Sequence, residues 1–197
     1  MPFINKCGGG GGGNALDAII DGTAKEIKSN VKTIPRYALY QFESMEALEL
    51  LEVSVIPQRL AQYCTALKKI NMPLATTAED YAFGHCAALT EVNIPKVETL
   101  GSAFYSCTAL AKLDLPNVTT ITANAFQMCA ALVAVIIRTN SVCSLGSTNI
   151  FTSTPIKSGS GYIYVPSALV SSYKSDSKWS TFAAKIRAIE DYPEICG

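Results

Sequence analysis

The chain has 197 residues, 49% of them from the set AVILMFWYC, with 16 basic and 16 acidic side chains that cancel to zero. Charged residues make up 16%, well below the roughly 25% of an average soluble domain, which excludes a disordered chain of low hydrophobicity and high net charge. The absence of a basic excess argues against nucleic acid as a partner, and the single histidine, His85, excludes any site that needs two.

Residues 1–7 (Met-Pro-Phe-Ile-Asn-Lys-Cys) lack the apolar stretch of a secretory signal. Gly8 to Gly13 is an unbroken glycine run, which reads as a flexible tether and sets residues 1–13 apart as a linker. A single domain is expected from 14 to 190. Its first part, 14–33, is expected to be an N-terminal helical cap, with a helix from Ala15 to Lys28 and Ala15, Ile19, Ala24 and Ile27 near one face.

Residues 34–166 are periodic. Cys64, Cys86, Cys107 and Cys129 are 22, 21 and 22 residues apart. Ala82-Phe83, Ala103-Phe104 and Ala125-Phe126 precede the last three cysteines. Leu67, Leu89, Leu110 and Leu132 follow three residues after each cysteine, then Ile70, Val92, Leu113 and Val135, then Met72, Ile94, Leu115 and Ile137. Pro73, Pro95 and Pro116 close three of the four units. Upstream, Leu39, Phe42, Met45, Leu48 and Leu50 fit the same offsets. Each unit has one short alternating stretch, the mark of a half-buried strand, ended by a proline that cannot donate to a ladder. One unit cannot bury its own apolar face, so units must stack, like residue over like, about 4.8 Å apart. The expected fold is a short right-handed α/β solenoid of about 5–6 turns of 21–22 residues, with a parallel sheet and helical caps. Tyr162 to Val165 supplies a last strand. Over 167–190 a C-terminal helical cap is expected, with Leu169, Val170, Tyr173, Trp179, Phe182, Ile186 and Ile189 as its burying side. Residues 191–197 are left as a tail.

The unit Ala-Phe-x-x-Cys-x-x-Leu-x-x-Val-x-Ile-Pro resembles the BspA-type leucine-rich repeat of bacterial surface proteins and of some phage or prophage proteins. The segment Tyr164 to Lys174, followed by Trp179, is similar to the closing segment of such proteins. The resemblance covers about residues 34–190 and implies a leucine-rich-repeat solenoid. It also implies an adhesion-type role: a non-catalytic module, on a cell surface or secreted, that binds a protein or glycan. The alternative it allows is a structural or receptor-binding part of a phage virion. Here the first two units lack Ala-Phe, and the fifth has Arg138 in place of proline.

The residues themselves point to no enzyme and no cofactor. The repeat-position cysteines read as a ladder of buried thiols, whose parallel side chains suit neither a disulfide nor zinc, which is typically held by Cys-x-x-Cys pairs. Cys143, on a non-repeat turn, and Cys196, in the tail, are the thiols open to exposure, along with Cys7. The glycine run follows no strand and lacks the Gly-Lys-Ser/Thr of a phosphate loop. Glu79-Asp80 and Glu190-Asp191 read as solvated loop carboxylates. The longest strongly apolar run, Cys129 to Ile137, is far too short for a membrane span. What remains is a binding face. Outward residues flank the central strand position of each unit: Lys69 and Asn71, Glu91 and Asn93, Lys112 and Asp114, Ala134 and Ile136. A second row, near the cysteines, comprises Tyr63, His85, Tyr105 and Met128, residue types that interfaces favour.

Overall fold

The computed structural model describes residues 23–197. The glycine tether, Cys7 and the part of the proposed N-terminal helix before Thr23 lie outside the described residues. Each turn contributes a strand to one side of a solenoid and, through most of the array, a shorter strand to a second side. In chain order these are β1 (Glu26–Ser29), β2 (Ala47–Leu50), β3 (Val55–Ile56), β4 (Lys69–Asn71), β5 (Thr77–Ala78), β6 (Glu91–Asn93) and β7 (Thr99–Leu100). Then come β8 (Lys112–Leu115), β9 (Thr120–Ile121), β10 (Ala134–Ile137), β11 (Ser144–Leu145), β12 (Tyr162–Val165) and β13 (Ile186–Ala188).

All recorded pairings are parallel. The first side runs β1-β2-β4-β6, is interrupted, and resumes as β8-β10-β12-β13, while the second side runs β3-β5-β7-β9-β11. Register follows the repeat. Ile27, Leu48, Ile70 and Val92 align across the first half-sheet, and Leu113, Val135, Ile163 and Ile186 across the second. These central residues face inward and all but Val92 are buried. Val92, on the strand that lacks a β8 partner, is half-buried.

Inside, the side chains form columns. Phe83, Phe104, Phe126 and Phe151 stack with centroids 5.7, 6.5 and 5.6 Å apart, and Phe182 closes the column edge-on at 5.2 Å. Leu39 and Ala61 continue it at the other end, since Leu39 N–H donates to Leu60, Ala61 N–H to Ala82 and Phe83 N–H to Ala103. These cross-turn bonds lace the third, loop side of the solenoid. Beside the phenylalanines the thiol column is more than apolar filling. Cys64, Cys86, Cys107 and Cys129 each donate S–H to a carbonyl of the preceding turn: Leu39, Ala61, Phe83 and Phe104.

The ends differ from expectation. Over Glu26–Ser29 the chain is not the C-terminal part of a helix but the edge strand β1. Pairing beside β2 buries Ile27 against the core, and that tertiary gain outweighs a weak local helical preference. At the other end, the cap over 167–190 opens helical (Ser167–Leu169, Val170–Ser175, Trp179–Lys185) but finishes as β13, because Ile186 extends the inward column beside Ile163. Cys143 is buried, not exposed. Its N–H donates to Tyr173 Oη at 2.9 Å and its carbonyl accepts from Trp179 Nε1 at 2.6 Å, so the cap seals directly over it. The tail is ordered too: Ile189–Asp191 and Pro193–Cys196 are short helical turns, and Cys196 is buried. Among the described residues, no helix is long and apolar enough to cross a membrane.

Candidate binding surface

Strand alternation puts two outward columns on the first side. One comprises Glu26, Ala47, Lys69 and Glu91, then Lys112, Ala134 and Tyr162; the other comprises Lys28, Glu49, Asn71 and Asn93, then Asp114, Ile136, Tyr164 and Arg187. Of the residues singled out in the sequence, Lys69, Asn71, Glu91, Asn93, Lys112 and Asp114 lie on this face. Sequence reading misses Lys28 because Glu26–Ser29 is expected to be helical, and with no strand foreseen beside β2 it does not extend the face to Glu49. It misses Tyr162 and Tyr164 because an insertion separates β12 from the regular spacing.

At the interruption between β6 and β8 lies a depression of about 500 Å³, lined by Glu49, Lys69, Asn71, Glu91, Val92, Asn93, Lys112 and Asp114 among others. Its polar groups are tied along the columns. Asn93 Nδ2 donates to Asn71 Oδ1 at 2.8 Å, and Lys69 lies 3.6 Å from Glu91. Lys28 lies 3.0 Å from Glu49, and its hydrogen bond holds that carboxyl below its ordinary pKa. These side chains stay largely in water, so the ion pairs contribute little to stability. They present a polar surface of mixed sign.

The far end of the face is different. Ala134 and Ile136, expected as part of the binding face, are 4% and 0% exposed. The tail covers them: Cys196 packs in one cluster with Ala134, Ile136 and Tyr164, flanked by Tyr192 and Ile195. Two cations of the face hold the tail by its backbone. Lys112 Nζ donates to the Ile195 carbonyl and Arg138 to that of Cys196. Arg138 also grips Asp114 through two nitrogens, at 2.7 and 3.0 Å, which raises its pKa above the ordinary arginine value. The apolar end of the column is thus a seat for the chain's own C-terminal segment. The sequence hid this because an apolar outward pair looks the same whether it is free or covered by a segment some 60 residues away.

The second row is brought together on the loop side. Tyr63 and His85 stack, with centroids 4.4 Å apart and planes at 8°. Tyr105 meets His85 edge-on at 5.3 Å, and its hydroxyl donates to Met128 Sδ at 3.2 Å. In the shorter unit Ser106, not Tyr105, occupies the corner position equivalent to Tyr63, His85 and Met128; all four have positive φ. Sequence spacing did not show that Tyr40, Tyr37, Arg59 and Tyr81 join this row.

Burial raises the pKa of Cys64, Cys129 and Cys143 to about 12, and those of Cys86 and Cys107 well above the ordinary thiol value. Such thiols are neither nucleophiles nor metal ligands at neutral pH. Among the described residues, no group of three His, Cys, Asp or Glu side chains is placed to hold a metal ion.

The family described as "BspA type Leucine rich repeat region" matches the chain in 6 copies, over residues 23–102 and 62–166. Among solved structures, the chain is similar to a leucine rich repeat protein of T. pallidum, with 28% identity and a TM-score of 0.51 over 56% of this chain and 56% of that one. It shares its fold with a leucine-rich repeat protein from Bacteroides ovatus, at 23% identity and a TM-score of 0.59 over 83% of this chain and 42% of that one. The chain therefore spans about half the length of these solved relatives. No curated protein matches it.

Proposed function

The chain belongs to the BspA-type leucine-rich repeat family, and from that premise we propose that it is a non-catalytic binding module of a bacterial surface or secreted protein. It takes a protein or glycan ligand on the outward face of β2, β4, β6 and β8. The observation that carries this reading is the tail. The same face already seats a peptide in cis, its carbonyls captured by Lys112 and Arg138 and its side chain set against Ala134 and Ile136. The adjoining depression offers the same kinds of group, unfilled by any part of the described chain: Lys69 and Glu91 for charge, Asn71 and Asn93 for amide hydrogen bonds. Rigid repeat scaffolds present such rows without an ordering cost on binding.

The test is an array of extracellular-matrix proteins and glycans probed with the purified chain. A captured ligand should bind about tenfold or more weakly to Lys69→Glu and Asn93→Arg variants, while their melting temperatures match the parent. Capture that is indifferent to both substitutions, or no capture at all, counts against the proposal.

A further inference from the structure

The loop side carries a second surface that neither the core nor the sheet face accounts for. At successive corners the backbone turns left-handed, and the residues that adopt this conformation include Tyr37 (φ 61°), Arg59 (φ 55°), Tyr63 (φ 65°), Tyr81 (φ 57°) and His85 (φ 62°). Asparagine or glycine meets such a corner with far less strain, and the chain uses Asn124 (φ 63°) for it further on. The repeat imposes this corner turn after turn, and large side chains there carry a strain that asparagine or glycine would avoid. These side chains are not core: Tyr37 and Tyr63 are exposed, and Arg59, Tyr81 and His85 half-buried.

Their contacts are with one another. Tyr63 and His85 cover each other's ring faces, and Tyr40 and Tyr105 abut the pair edge-on at 5.8 and 5.3 Å. The stack takes up one face of each ring. A sugar stacks on a free aromatic face, whereas a protein interface uses tyrosine as a rigid amphipathic contact. Alongside, the Arg59 guanidinium lies between the Tyr37 and Tyr81 rings, 5.6 Å from each centroid. Its Nε is buried without a hydrogen-bond partner, and among the described residues no carboxylate forms an ion pair with it. Neighbouring Gln62 is 5% exposed, with its Oε1 also unpartnered. Burial lowers the His85 pKa, and the neighbouring carboxylates Glu79 and Asp80 accept from the Gln58 and Ser102 backbone amides rather than pairing with Arg59. A planar guanidinium already fixed between two rings is preorganised to receive a carboxylate.

We propose that this corner is a second recognition surface, for a protein partner that lays an acidic side chain on Arg59 and apolar contacts on Tyr63 and its neighbours. It does not rest on the sheet-face reading.

The probe is a display library of random linear peptides panned against the full chain, with the enriched sequences resynthesised. Enriched peptides should combine Asp or Glu with aromatic or aliphatic residues. Their affinity should fall about tenfold or more in Arg59→Asn and in Tyr63→Asn, and be unchanged in Lys69→Glu. Asparagine suits the left-handed corner, so both corner variants should melt at or above the parent temperature. The proposal is overturned if the library gives no binder, if enriched peptides show no acidic bias, or if binding survives Arg59→Asn. It is equally overturned if Lys69→Glu abolishes binding, or if the corner variants melt several degrees lower, which would make these side chains structural. A glycan ligand lost on Tyr63→Asn, with no peptide ligand, would assign the corner to carbohydrate instead.

Discussion

The S–H of Cys107 donates to the Phe83 carbonyl at 3.1 Å, and the same bond recurs at 3.0 to 3.2 Å along the ladder. Burial raises the thiol pKa values, to about 12 for Cys64, Cys129 and Cys143. In the unfolded chain each thiol ionises near pH 8.5, so between about 8.5 and 12 the unfolded state has lost protons that the folded state keeps. Stability is therefore complete below pH 8.5 or so and falls as pH rises, by about 1.4 kcal/mol per pH unit for each such thiol. Urea melts from pH 8 to 11 should show this slope, and it should be shallower in a Cys64→Ala, Cys129→Ala variant; parallel slopes would contradict the assignment. Burial of the ladder was legible in the sequence, because four cysteines at one repeat position must share one environment. The hydrogen bonds were not, since each acceptor lies on the neighbouring turn and belongs to a backbone carbonyl that any residue type supplies.

At the scale of elements, the inward phenylalanine column and the outward asparagine pair give opposite expectations. Phe104 is buried between two ring neighbours, so Phe104→Ala should cost about 3–5 kcal/mol. Asn93 is exposed, and Asn93→Ala should cost no more than about 0.5 kcal/mol. Thermal or denaturant melts of the pair check both faces at once; equal losses would mean that inside and outside are misassigned. The tail makes a third case. Arg138→Ala would remove the side chain that donates to the Cys196 carbonyl and grips Asp114, leaving the tail with one of its two cationic ties. The expected result is a lifted tail, seen as faster amide exchange in α1 (Pro193–Cys196), with exchange in β4 and β6 unchanged. Strand positions in the regular units were legible because alternation and proline fix them. The strand at Glu26–Ser29 and the strand that ends the cap were not, because four and three residues carry too little pattern to reveal a pairing decided by the neighbouring turn.

Across the described residues the array is a one-dimensional stack: each turn rests on the next, from β1, the first described strand, to the helical turns around Trp179 that cover the far end. The outward face inherits its order from that stack. Its polar half, Lys69 to Asn93, was readable from spacing alone. Its covered half was not, since the segment over Ala134 and Ile136 arrives from the end of the chain. Function is less legible than fold for the same reason that the repeat is so regular: the recurring positions are those that pack.

The most direct measurement is hydrogen exchange on the chain alone and saturated with a ligand captured from the array. Added protection is expected in β4, β6 and β8, around Lys69–Asn71, Glu91–Asn93 and Lys112–Asp114. Protection confined to the second sheet, at Thr77, Thr99 and Thr120, or to the Tyr63 corner, would contradict the sheet face as the site where this ligand binds.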